Sequence, residues 1–120
     1  MIRLLDKNDQ IPFMKLMNTF TKEEIKDISH TDFNNWLNLT KQQNSYIFVL
    51  ELNNTIIATG KIMIEYKFNN NLTKCGHIED VVVHHKYRTQ GYGKMIIEYL
   101  INIGIQRDCY KIILNCNEIN

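Results

Sequence analysis

Neither sign of charge prevails in these 120 residues: 14 Lys+Arg stand against 13 Asp+Glu, a formal net charge of +1. A nucleic-acid binder gathers a surplus of Lys and Arg on one face to meet phosphates, so composition argues against a nucleic-acid partner. Cysteine is scarce as well. Cys75, Cys109 and Cys116 are odd in number and follow no C-x-x-C spacing, and no apolar N-terminal segment with a basic flank precedes them. The expected compartment is therefore reducing and cytoplasmic. No apolar run approaches the roughly 18 to 20 residues that span a bilayer, so no membrane partner is expected. Linkers, internal repeats and low-complexity segments are missing too. What remains is an ordinary globular composition, 44% hydrophobic and 22% charged. A chain of this length makes one domain, 1–120, and buries about two thirds of its unfolded surface without a disulfide or a metal.

The hydrophobic pattern divides the chain. Ile2 to Leu5 reads as a strand ending at a turn, with Asp9 as a helix N-cap. Ile11, Phe13, Met14, Leu16, Met17 and Phe20 then recur near the helical period. Thr21 with Glu24 forms a capping box for a second face running through Ile28, Phe33, Trp36 and Leu37, so two or three short helices are expected across 9–42. Tyr46 to Leu52 and Thr55 to Phe68 are β-rich runs joined by Asn53-Asn54, a hairpin signal, and Gly60 inside the second marks a bulge or a close approach. A polar loop, 69–74, leads to a strand over Gly76 to His84. A helix follows over Lys94 to Gln106, whose only polar stripe is Lys94, Glu98, Asn102 and Gln106. So narrow a stripe predicts a helix covered on most sides. Tyr110 to Cys116 reads as a buried parallel strand. The order gives an α/β fold with a mixed central sheet flanked by helices.

Chemistry concentrates between the third strand and that helix. Arg88-Thr89-Gln90-Gly91-Tyr92-Gly93-Lys94 is a glycine-bearing loop opening a helix, where unpaired backbone N–H groups and the positive end of the helix dipole suit phosphate oxygens. Its spacing is neither G-x-G-x-x-G nor a P-loop, and a plain strand-to-helix turn explains it as well on spacing alone. Glu79-Asp80 is a carboxylate pair able to take a proton from an amine, or else a strand-end pair facing solvent. His84-His85 has no partners at ligand spacing, so no metal is expected there. His77 reads as a hydrogen-bonded sheet histidine, and Cys109 and Cys116 as small buried hydrophobes.

The R-x-x-G-x-G spacing resembles the acyl-CoA pyrophosphate loop of the GNAT superfamily of N-acetyltransferases. With G-H-I-E-D-V-V-V over 76–83 and D-C-Y-K-I-I-L over 108–114, the chain is similar to the glucosamine-6-phosphate N-acetyltransferase family along essentially its whole length. That resemblance implies a GNAT fold and transfer of acetyl from acetyl-CoA, as co-substrate, to the amine of D-glucosamine 6-phosphate on the route to UDP-N-acetylglucosamine. It implies cofactor contacts from Arg88, Thr89, Gln90, Gly91, Tyr92, Gly93 and Lys94, pairing of the Val81, Val82 and Val83 backbone with the pantetheine arm, and a further contact from Asn120. Glu79 and Asp80 would hold the sugar and its amine, beside Asn115 as a catalytic-site residue. Thr21, Lys67, Phe68, Tyr110 and Lys111 would line the sugar-phosphate site.

Three departures from the family pattern stand out. Thr89 sits where the family usually has Gly, a change that matters if φ is positive there. Asn115 stands in place of the usual Asp. The family's N-x-x-F-Y tyrosine and two further strands, which carry an arginine for the phosphate and exchange between subunits of a homodimer, are not among these 120 residues. The C-terminal strands are thus absent from this chain, and dimerisation is expected of a full-length form. The alternatives are an acetyltransferase for another small amine and a catalytically silent acyl-CoA-binding domain.

Overall fold

The computed structural model of this chain describes residues 1–20 and 27–115. The hairpin forms where the two runs meet at Asn53-Asn54: β2 (Ser45–Leu52) and β3 (Thr55–Tyr66) pair antiparallel. Both asparagines take positive φ, 52° and 63°, as a two-residue turn matched to strand twist requires. β1 (Ile2–Leu4) lies antiparallel against β2, and β4 (Lys74–Val83) antiparallel against β3. β5 (Cys109–Leu114) runs parallel to β4, so the sheet is mixed, in the order β1-β2-β3-β4-β5.

Alternation along the strands supplies both faces with apolar side chains. Ile47, Val49, Ile56 and Val82 meet α1 (Gln10–Asn18) and α2 (His30–Gln42) through Phe13, Leu16, Phe33 and Leu37. Phe48, Leu50, Ile62, Ile64 and Ile78 meet the other layer, where α4 (Tyr92–Gln106) contributes Ile96 and Leu100. Between β3 and β4 the polar loop makes one four-residue turn, α3 (Asn69–Leu72), with Asn70, Asn71 and Leu72 at positive φ. Among the described residues no helix is long and apolar enough to cross a membrane.

Several sequence expectations change. Asp9 occupies the position before α1 but makes no cap bond to it. Its carboxylate serves the preceding 3-10 turn (Lys7–Asp9) instead, accepting from the Asp6 amide at 2.8 Å while pairing with the Arg3 guanidinium at 2.7 and 3.0 Å. α2 starts at His30 with the Ser29 hydroxyl accepting from the Asp32 amide at 3.0 Å; the Thr21–Glu24 box lies outside the described residues. α4 begins at Tyr92, not Lys94, since Gly91 at φ 89° makes the left-handed entry. Nor is α4 covered on most sides: Ile96, Leu100 and Gly104 are buried, whereas Met95 and Ile105 are 50% and 59% exposed. β5 is an edge strand with none of its residues buried, because β4 is its one neighbour among the described residues.

Candidate active site

The pairing of β3 with β4 breaks at one place. Thr59 faces Val82 and Lys61 faces Glu79, so Gly60 alone opposes Asp80 and Val81. Two residues against one is a β-bulge, and Asp80 takes it up with φ 55°, a left-handed conformation that Asp tolerates better than most residues. The extra residue shifts the alternation: Val82 joins the α1–α2 core, while Val81 and Val83 pack toward α4. Gly60 is required on the opposite side, where a Cβ would lie 2.6 Å from Ile96 Cγ2 and 2.9 Å from Leu100 Cδ1. A bulge and a close approach therefore coincide at this glycine.

Glu79 and Asp80 share a cation. The Lys61 ammonium lies 3.5 Å from Glu79 Oε1 and 3.5 Å from Asp80 Oδ2, and the Asn115 amide donates to the second Glu79 oxygen at 3.0 Å. Lys61 and Asp80 stand in the wall of a cavity of about 400 Å³ whose apolar lining includes Phe13, Met17, Phe33 and Trp36. The two carboxylates are partly exposed, with the Lys61 ammonium between them. Asp80 and Lys61 form a charged rim on an aromatic pocket.

Among the described residues the pairing of β4 with β5 stops just short of the bulge. Their register ends at Ile78 with Leu114, and the last bond is from the Asn115 amide to the Ile78 carbonyl at 2.9 Å. Val82 pairs with Thr59 and the His84 amide donates to the Ile57 carbonyl, so alternation turns the polar groups of Val83 outward from β3. The Val83 carbonyl there accepts from Arg88 Nε at 3.1 Å.

The loop that follows delivers an uncapped helix. Gly91 offers no side chain to the first turn of α4, that turn holds no acidic residue, and a Cβ at Gly91 would meet nothing within 4 Å. Its first-turn amides have no side-chain cap, and Arg88 and Lys94 lie nearby in sequence, an arrangement suited to a multiply charged anion. Thr89 takes φ 62°, so the replacement of Gly in this loop falls on a left-handed residue. Tyr87 packs edge-on against both His84 and Tyr92. His84 stacks on His85; burial first, then the neighbouring charges of His85, Lys86 and Arg88, press its pKa down.

The family model described as "Acetyltransferase (GNAT) family" matches residues 12–120. The chain belongs to this family. Among curated relatives of the GNAT chain, the glucosamine 6-phosphate N-acetyltransferase 1 of Dictyostelium discoideum is 44% identical over 104 residues, covering 84% of this chain and 62% of the relative. The glucosamine 6-phosphate N-acetyltransferase of Trypanosoma brucei brucei is 30% identical over 119 residues, covering 98% and 80%. The chain spans about half the length of the Arabidopsis thaliana relative, 47%, at 46% identity over 58% of its own length. Among solved structures, glucosamine-6-phosphate N-acetyltransferase from Arabidopsis thaliana superposes with a TM-score of 0.88 at 33% identity, covering 98% of this chain and 82% of that one.

Within the GNAT frame the remaining expected residues fall into a second group. Lys67 and Phe68 follow β3, and Tyr110 and Lys111 open β5 beside Lys74 and Cys75. At roughly 3.3 Å per residue, Lys67 lies about 20 Å along β3 from Lys61, and Lys111 about 13 Å along β5 from Asn115. Lys67 sits 3.9 Å from Glu65, and Phe68 is 85% exposed. Thr21, Cys116 and Asn120 lie outside the described residues. His77 Nε2 bonds to Glu65 Oε1 at 2.8 Å, which holds the Glu65 carboxyl below its usual range. Cys75 shares that face, and the three could offer ligand atoms within 4.8 Å of one another, yet the His–Glu bond accounts for the pair. Burial pushes the Cys109 thiol up, leaving it a packing residue. Lys61 is the site residue that the sequence reading missed. A bulge at Gly60 puts the next β3 residue across from Glu79, but only the β3–β4 register identifies it.

Proposed function

We propose that this chain transfers acetyl from acetyl-CoA to the amine of D-glucosamine 6-phosphate, giving N-acetylglucosamine 6-phosphate for UDP-N-acetylglucosamine synthesis. The observation that carries the reading is the bulge: it sets Glu79 and Asp80 beside Lys61 on the strand whose far end, at Val83, meets the first turn of the uncapped α4 at Gly93. A phosphate-bearing thioester held by the amides from Gly91 to Lys94 and by the outward backbone of β4 would present its acyl end at the two carboxylates. Glu79, directly or through one water, receives the proton that the attacking amine must lose. An outward strand amide donates to the oxyanion of the tetrahedral intermediate. Asn115, bonded to Glu79, fixes its orientation without adding a charge. No metal is needed in this scheme. The working compartment is the cytoplasm.

The second group of residues suits a phosphate dianion, with Lys67 and Lys111 as cations. Lys67, about 20 Å along the sheet from Lys61, is the member of the group farthest from reach of the same chain's Glu79. A homodimer in the full-length form, placing this end of one copy against the bulge of the other, unites them.

Thiol release on mixing acetyl-CoA with glucosamine 6-phosphate tests the assignment. Glu79→Ala and Asp80→Ala should each lower kcat by about 100-fold, the usual size of a lost general base. Equal thiol release from glucosamine without its phosphate would remove the sugar-phosphate assignment and leave an acetyltransferase for another amine.

A further inference from the structure

Resting on that reading, we propose that Lys61 is itself an acetyl acceptor: in the absence of sugar the enzyme acetylates its own Lys61 side chain. Lys61 is a primary amine held 3.5 Å from each of the two carboxylates that the transfer reaction needs around its nucleophile. Among the described residues no other lysine has an ion pair with Glu79 or Asp80: Lys67 pairs with Glu65. Its ammonium thus occupies the place of a substrate ammonium, between the proton acceptor and its partner, at the rim of the cavity.

The step balances without any further reagent. The Lys61 ammonium gives one proton to Glu79, and the freed Nζ lone pair attacks the thioester carbonyl carbon, forming the C–N bond. The carbonyl re-forms as the C–S bond breaks, and the departing thiolate takes the second nitrogen proton. The products are Nζ-acetyl-Lys61, free CoA thiol and a proton on Glu79. Loss of the positive charge releases both carboxylates, and the neutral amide can settle against the apolar wall of Phe13, Met17, Phe33 and Trp36.

The experiment incubates the protein with acetyl-CoA alone and follows intact mass and peptide mass. Binding of acetyl-CoA and acetylation of glucosamine 6-phosphate are measured on the same preparation. The expected result is one acetyl increment at Lys61, formed about tenfold or more faster than at any other lysine, at a rate independent of protein concentration. Glucosamine 6-phosphate should slow it by competing for the same carboxylates. Lys61→Arg should abolish the increment while keeping a cation between Glu79 and Asp80, and Glu79→Gln should abolish it with Lys61 intact. Increments spread over exposed lysines and unchanged by Lys61→Arg would overturn the proposal. So would no increment in protein that binds acetyl-CoA and acetylates the sugar, a result that leaves the proposed function standing. Failure to bind acetyl-CoA at all would overturn both.

Discussion

Nine non-glycine residues among those described take positive φ, and seven of them are asparagine or aspartate, which accept the left-handed region through short polar side chains. Thr89, at φ 62°, is β-branched and lacks that tolerance. The strain of a non-glycine residue there is about 1–2 kcal/mol. Glycine would relieve it but also loosen the unfolded chain, which returns about 0.4–1 kcal/mol. Thr89→Gly should therefore raise unfolding free energy by about 0.5–1 kcal/mol, read from urea denaturation. It should also tighten CoA binding, since the loop amides no longer work against a strained backbone. Lower stability would mean that the threonine side chain contributes more than its backbone costs. The sequence marks this residue as a departure, but its penalty depends on a dihedral angle that composition and spacing do not contain.

Elements are tied to one another at two kinds of contact, one polar and one a matter of free volume. Arg3 on β1 bonds to Glu51 on β2 and to Asp9 before α1, joining sheet edge and helix. The hydrogen bonds from Arg3 hold the Asp9 carboxyl below its ordinary value. As pH falls, the unfolded chain protonates this group first. Its contribution is whole above about pH 4 and is lost as pH drops through the lower folded pKa. Asp9→Asn should cost about 1–2 kcal/mol at neutral pH, a partly exposed pair being worth less than a buried one. It should also flatten the acid limb of stability against pH. A parallel acid limb in the variant would exclude Asp9 as its source. Glycines set the seating of α4. At Gly60 a Cβ meets the branched Ile96 Cγ2 at 2.6 Å, which cannot swing away without moving α4; at Gly104 it meets the flexible Ile112 Cδ1 at 2.8 Å. Gly60→Ala should destabilise by about 1–3 kcal/mol through overpacking. Gly104→Ala should come out near neutral, with about 1 kcal/mol of helix propensity offsetting a small adjustment. Equal losses at the two sites, in the same denaturation assay, would contradict this ranking. The hairpin and the strand-helix-strand return were legible in the sequence because their turn residues and periods are local. The exposure of β5 and of one α4 face was not, because an apolar run says that a face is coverable, not that described neighbours cover it.

At the scale of the whole molecule the site residues form two groups set about four to six residues apart along the strands. Glu79, Asp80, Lys61 and Asn115 gather at the bulge, while Lys67, Phe68, Tyr110 and Lys111 gather at the start of β4 and β5. Residue types and motif order made most members of both groups legible in the sequence; their distance was not, since it follows from the register of β3 on β4. If a homodimer joins the bulge of one copy to the far end of the other, each active site draws on two chains and can be broken from either. Glu79→Ala damages the site that its own bulge forms, and Lys111→Ala damages the site formed on the partner. Each variant alone should then be nearly inactive. After equal mixing and exchange, half the dimers carry one chain of each kind, and in each of these one site has lost both groups while the other is intact. Activity should recover to roughly a quarter of wild type, the share of sites left whole under random pairing. If both groups served a site within one chain, mixing would restore nothing, and sedimentation of the active wild-type protein as a monomer would equally rule out a site shared between chains.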